Sequence, residues 1–154
     1  MTSGVHSCIR VPADIAVVSF VRSAFACVLE REEWPSDGAG RVLLASSEAV
    51  TNAIEHGSPA GGAVEVELSV TLDRADIRVL DQGRPGGPRA VLPLDPPPPS
   101  SPRGRGLIII SRLADDFDLR VRGGGTEVTA GFLRYPAEIE IEIEVEPVLA
   151  RRAA

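Results

Sequence analysis

Lysine is absent from this chain of 154 residues, and all sixteen of its basic residues are arginine. A Walker A phosphate loop and a eukaryotic-type protein kinase both need a lysine on the phosphates, so both are excluded. Any phosphate bound here must be met by backbone N–H groups, arginine or a metal ion. Aromatic residues are scarce at 4%, while 44% of the chain is hydrophobic, which leaves a core of valine, leucine, isoleucine and alanine. Positive charge is in deficit. The formal net charge of −6 at pH 7 has the wrong sign for an electrostatic grip on nucleic acid or an anionic membrane. Cysteine is limited to Cys8 and Cys27, whose spacing matches no metal motif, so reduced packing thiols in a cytoplasmic protein are expected. No apolar run reaches the ~18 residues of a membrane span and no secretory leader is visible, so neither is expected.

What is present reads as one domain, long enough to bury about two thirds of its unfolded surface. Residues 6–11 read as a first strand closed by Pro12. Residues 13–33 follow as an amphipathic helix with Ile15, Val18, Val21 and Val28 or Leu29 at helical spacing. Trp34-Pro35-Ser36-Asp37-Gly38 breaks it, and a second helix is expected over 41–56, stopped by Gly57. Val64, Val66, Leu68, Val70 and Leu72 alternate along a strand, a turn near 73–76 follows, and 77–80 pairs back antiparallel. Residues 81–106 are rich in glycine and proline. The 50 or so residues beyond them are too few for a second core, so the segment reads as a functional loop within one domain. A short helix is expected over 107–116, then strands 117–122 and 127–134 joined through Gly123-Gly124-Gly125. The stretch from Glu138 to Val145 alternates Glu with Ile or Val, a strand period, whose acidic face either blunts a sheet edge or meets a basic partner.

The chemistry concentrates in Ser47-Glu48-Ala49-Val50-Thr51-Asn52-Ala53-Ile54-Glu55-His56-Gly57. At 100° per residue Leu43, Ser47, Val50 and Ile54 share one side, while Glu48, Asn52, Glu55 and His56 gather on the other. Ala45 and Ala49 flank the polar side in place of the charges of a solvated face, which predicts a face turned to a ligand. Glu48 and Asn52 lie one turn apart, about 6 Å along the axis, so a carboxylate and a neutral amide oxygen can serve one small volume. A neutral oxygen suits Mg²⁺ whose other positions are filled by phosphate and water. An ordinary polar helix face carries the same residues, so the pattern needs partners elsewhere.

Three such partners occur downstream. Asp81 closes a strand, where a carboxylate can accept a hydrogen bond from an exocyclic amine such as adenine's, and Gly83 lets a flat base approach the backbone. Gly104-Arg105-Gly106-Leu107 stands at a loop-to-helix junction, where free N–H groups and the helix dipole favour phosphate. Thr126 follows three glycines and can offer a hydroxyl. Each has a plain alternative as a turn, a glycine punctuation or a hairpin.

In order and spacing these four elements resemble the Bergerat-type (GHKL) ATP-binding domain of Hsp90, gyrase, histidine kinases and MutL. Most of all they resemble the anti-sigma-factor serine kinases of bacterial partner switching, whose first box the stretch 47–57 closely matches. The resemblance covers roughly residues 8–134. It implies an α/β two-layer sandwich, a mostly antiparallel sheet against about three helices, with a histidine-kinase-like ATPase domain over 1–136, an ATP lid over 88–103 and an acidic tail over 137–154. It implies ATP and Mg²⁺ as cofactors, Asn52 as metal ligand, Glu48 as the base that deprotonates a serine hydroxyl, and Asp81 with Gly83 as the reader of adenine. Arg103, Gly104, Arg105, Gly106 and Leu107 would meet the phosphates, and Thr126 would close the base pocket. The implied partners are a sigma factor, a STAS-domain anti-anti-sigma substrate and a second copy of the chain, with no nucleic acid and no membrane. One departure stands out. The family's second box runs Asp-x-Gly-x-Gly, whereas here Pro85 takes the last place, which implies an altered adenine floor. The alternative to a kinase is a non-catalytic module that acts by sequestration alone. Glu55 and His56 are read as helix-end structure.

Overall fold

The computed structural model describes residues 4–84 and 105–135; the lid at 88–103, Pro85, Arg103, Gly104 and the tail at 137–154 lie outside the described residues. The chain runs β1 (Val5–Pro12), α1 (Val17–Arg31), α2 (Ser36–Asn52), a π-helical turn (Ala53–Gly57), β2 (Ala63–Val70), β3 (Arg74–Leu80), α3 (Gly106–Leu113), β4 (Asp116–Arg122) and β5 (Gly125–Leu133). The five strands form one sheet in the order β1-β2-β3-β5-β4, every pair antiparallel. The expected two-layer α/β sandwich with three helices is the observed one.

The sheet's two faces follow from period-two patterning. Val64, Val66, Leu68 and Val70 of β2, Ala75, Ile77 and Val79 of β3, and Val128, Ala130 and Phe132 of β5 are buried against the helices. Val21, Phe25 and Leu29 of α1, Val42, Ala45, Ala49 and Val50 of α2, and Ile110 of α3 fill the other half of the core. Leu72, read as the end of the alternating strand, is exposed in the turn after β2, where Thr71 closes the hairpin by donating from its backbone N–H to the Arg74 carbonyl at 2.7 Å. The β4–β5 hairpin turns on Gly123 (φ 57°) and Gly124 (φ 87°), the positive-φ pair that a two-residue turn of native twist requires.

Several boundaries differ from the sequence reading. β3 takes in 74–76, expected as turn, because the hairpin already closes between Thr71 and Arg74, and α3 ends at Leu113 rather than 116, since Ala114 is extended and Asp116 opens β4. α1 begins at Val17 rather than 13, because the Asp14 carboxylate accepts the Ala16 N–H at 2.9 Å and holds 13–16 in a turn. α2 begins at Ser36, so the residues read as a breaker form its first turn: Pro35 stands at the N-cap position and Asp37 meets the positive end of the dipole. At the far end the α-helix stops at Asn52 and gives way to the π-helical turn. The core stripe of α2 also shifts. Leu43 and Ser47 are only partly buried, while Ala45 and Ala49, expected beside a ligand face, lie fully inside. α2 packs on the sheet and on both α1 and α3, so its buried arc is wide, and alanine lets the neighbours come close.

The outer face of the sheet is polar. At its centre the Arg78 guanidinium donates to Glu65 (2.9 Å), Glu67 (2.7 Å) and Glu127 (2.7 Å), and Arg122 adds a second bond to Glu127 at 3.0 Å.

Candidate functional site

Asp81, at the end of β3, is the hub of the site and is 7% exposed. Its Oδ1 accepts backbone N–H groups from Gly83 and Thr126, both at 2.9 Å, and its own N–H donates to the Thr126 carbonyl at 3.1 Å. Those bonds lock the second box onto the start of β5. They also demand glycine on both sides: a Cβ on Gly83 (φ 72°) would overlap the Gly124 carbonyl, and one on Gly125 would overlap the Asp81 carbonyl. With Oδ1 doubly committed, Oδ2 remains for a ligand. Oδ2 faces Gly57, where a Cβ would collide with it.

Gly57 is therefore a site residue that the sequence reading took for a helix stop. It does not adopt positive φ, so its glycine identity is not the signature of a C-terminal cap. Room for the Asp81 carboxylate is the reason. The π-helical turn leads directly from Asn52 to Gly57 and joins the two halves of the site. Such single π-turns are frequent at functional sites.

At the other half, the Asn52 Nδ2 is buried without a hydrogen-bond partner, and a Cβ on Gly106 would stand 2.6 Å from Nδ2 and 3.0 Å from Oδ1. Asn52 thus lies against the first turn of α3, whose free N–H groups and dipole attract anions. The orphaned amide and the glycine cradle fit a phosphate–Mg²⁺ unit, which brings its own acceptors and leaves the protein to supply one neutral ligand. Among the described residues the three-membered group of thiol and carboxylate ligands lies elsewhere, Cys8 with Glu65 and Glu67 on the outer face of the sheet.

Glu48 sits one turn before Asn52 and is half-buried, and among the described residues no hydrogen bond or ion pair holds its carboxylate. The two serines before it are structural. Ser46 Oγ donates to the Val42 carbonyl at 2.7 Å and Ser47 Oγ to the Leu43 carbonyl at 2.8 Å. Arg105, at the N-cap position of α3, is exposed, and Leu107 packs partly buried against the core. Thr126 is brought beside Asp81, and the bond that places it runs through its backbone N–H. Glu55 and His56 are exposed on the π-turn, 3.8 Å apart.

A carboxylate walled by glycines, an orphaned asparagine amide on a glycine-started helix and a single helix linking them define an ATP-binding domain of the Bergerat type. The chain belongs to the histidine kinase-like ATPase domain family, which it matches over residues 11–132. It is 28% identical over 147 residues to the serine-protein kinase RsbW of Halalkalibacterium halodurans, covering 91% of this chain and 89% of that one. It is 30% identical over 135 residues to the serine-protein kinase RsbW of Bacillus velezensis, covering 82% of each. A crystal structure of the RsbU and RsbW domains of a Mycobacterium tuberculosis protein shares the fold with a TM-score of 0.63 at 21% identity over 87% of this chain. This chain spans 34% of that longer one. The relatives place the protein among the RsbW-type anti-sigma-factor serine-protein kinases, a class that uses ATP, and do not favour the purely sequestering alternative. Among the described residues no helix is long and apolar enough to cross a membrane.

Proposed function

We propose that this chain binds ATP with Mg²⁺ in the cleft between Asp81 and the α2–α3 junction, sequesters a sigma factor in the cytoplasm, and phosphorylates a serine of a STAS-domain anti-anti-sigma partner. The observation that carries the reading is the coincidence of Asp81, with one carboxylate oxygen tied to Gly83 and Thr126 and the other facing Gly57, and the orphaned Asn52 amide against Gly106. In this reading Asp81 Oδ2 accepts from the adenine amine and Thr126 borders the base. Asn52 supplies its amide oxygen to Mg²⁺, and Gly106 with Arg105, Gly104 and Arg103 receives the phosphates. The metal, when bound, neutralises charge on the transferring phosphoryl group. Glu48 takes the proton of the attacking serine hydroxyl, and the absence of lysine is no obstacle where backbone N–H groups and arginine meet the phosphates. A homodimer is the working assembly.

Calorimetric titration of ATP with and without Mg²⁺ tests the nucleotide site, and transfer of labelled γ-phosphate to the STAS partner tests the chemistry. Binding that ignores Mg²⁺ would remove Asn52 as a metal ligand. Binding without transfer would leave a sequestering module.

A further inference from the structure

Arg84 is absorbed by none of these roles. It follows the second box, yet its side chain turns back on the helix end: Nε donates to the Ser58 carbonyl at 2.6 Å and Nη2 to the Ile54 carbonyl at 3.4 Å. The Ile54 carbonyl has a specific need for it. A π-helical bond from residue 54 falls on residue 59, and Pro59 has no N–H to give. The carbonyl end of a helix is also its negative end, where a guanidinium is favourable.

Gln82 acts in parallel. Its Oε1 accepts the Ala63 N–H at 3.1 Å, and Gly62 leaves it the space, since a Cβ there would lie 2.8 Å from Oε1. Residues 81–84 therefore touch the segment 54–63 at three points: Arg84 on Ile54 and Ser58, Asp81 on Gly57, and Gln82 on Ala63. The segment so held carries the wall that faces Asp81 Oδ2.

We infer that Arg84 is a positioning residue that caps the π-helical turn and thereby fixes Gly57 against the purine-reading carboxylate of Asp81. It touches neither base nor phosphate. It sets the width of the base pocket by holding the opposite wall. The inference rests on the proposed nucleotide site.

The test compares wild type with Arg84→Gln and Arg84→Lys by calorimetry with Mg²⁺–ATP and Mg²⁺–GTP, alongside hydrogen exchange of the amides at 57–63 in the nucleotide-free protein. Arg84→Gln is expected to weaken ATP binding about tenfold, the loss of charge-assisted bonds to buried carbonyls. It should also shrink the preference for ATP over GTP and speed exchange at 57–63. Arg84→Lys, which keeps a cation able to reach one carbonyl, should recover part of all three. Wild-type ATP affinity in Arg84→Gln overturns the inference, and so does a parallel loss for ATP and GTP, which would mark a general structural role. Unchanged exchange at 57–63 overturns the clamp itself. If wild type binds no ATP while Arg84→Gln still loosens 57–63, the nucleotide reading has failed and the pocket role falls with it.

Discussion

In the proposed mechanism Glu48 and Asn52 divide two tasks at one turn of helix, and single substitutions separate them. Asn52 has its amide nitrogen buried and unpartnered, so Asn52→Ala removes an orphan rather than a bond within the fold. The variant is expected to keep wild-type thermal stability to within about 0.5 kcal/mol and to lose the Mg²⁺-dependent tightening of ATP binding, read by titration with and without the metal. Equal Mg²⁺ dependence in both proteins would refute the ligand role. Glu48→Gln keeps shape and leaves Asn52 untouched, so ATP should bind as before while phosphoryl transfer falls by about 10²–10⁴-fold, the usual loss on removing a general base. A labelled γ-phosphate assay with the cognate partner decides it, and robust transfer by the variant would reduce Glu48 to a helix residue.

The helix α2 with its π-turn is the element on which the site is built, and it shows how far residues alone could go. The polar spacing of Glu48 and Asn52, the strand-end Asp81 and the glycine-opened α3 were legible because each is a local pattern with a local physical reason. Gly57 and Arg84 were not. Their roles are long-range contacts, Gly57 with a carboxylate 24 positions later and Arg84 with carbonyls 26 and 30 positions earlier, and no periodicity encodes such a meeting. The core stripe misled for a related reason: it assumed one packing partner, whereas α2 has the sheet and two helices around it. Two glycines of this element should respond in opposite directions to the same change. Gly57→Ala forces a methyl into Asp81, a cost of about 1–3 kcal/mol by urea denaturation, with loss of ATP binding. Gly40→Ala meets nothing within 4 Å on an exposed helical face and should stabilise by about 0.5–1 kcal/mol.

At the scale of the whole molecule, the outer face of the sheet is tied together by Arg78, whose guanidinium is held charged by its hydrogen bonds to Glu127 and Glu65 and by the field of Glu67. Burial works to raise the Glu127 carboxyl, but the bond and charge of Arg78, with Arg122, outweigh it and hold the group below its ordinary value. A carboxyl depressed on folding contributes stability that is fully present above its unfolded value and is lost as pH falls through the folded one. Glu127→Gln is therefore expected to lower stability by about 1–3 kcal/mol near neutrality. The gap to wild type should hold from pH 8 down to about 5 and close as acidification passes below 4.5, followed by urea denaturation across pH. The order of the sheet has a consequence for the history of each molecule. β5, the last described strand to leave the ribosome, is inserted between β3 and β4 and supplies the Thr126 N–H that seats Asp81. A nascent chain that stops short of Gly125 has an open seam down the middle of its sheet and an Asp81 without its Thr126 partner. On the proposed reading of Asp81, nucleotide would engage only completed copies, and half-made ones would not compete for it.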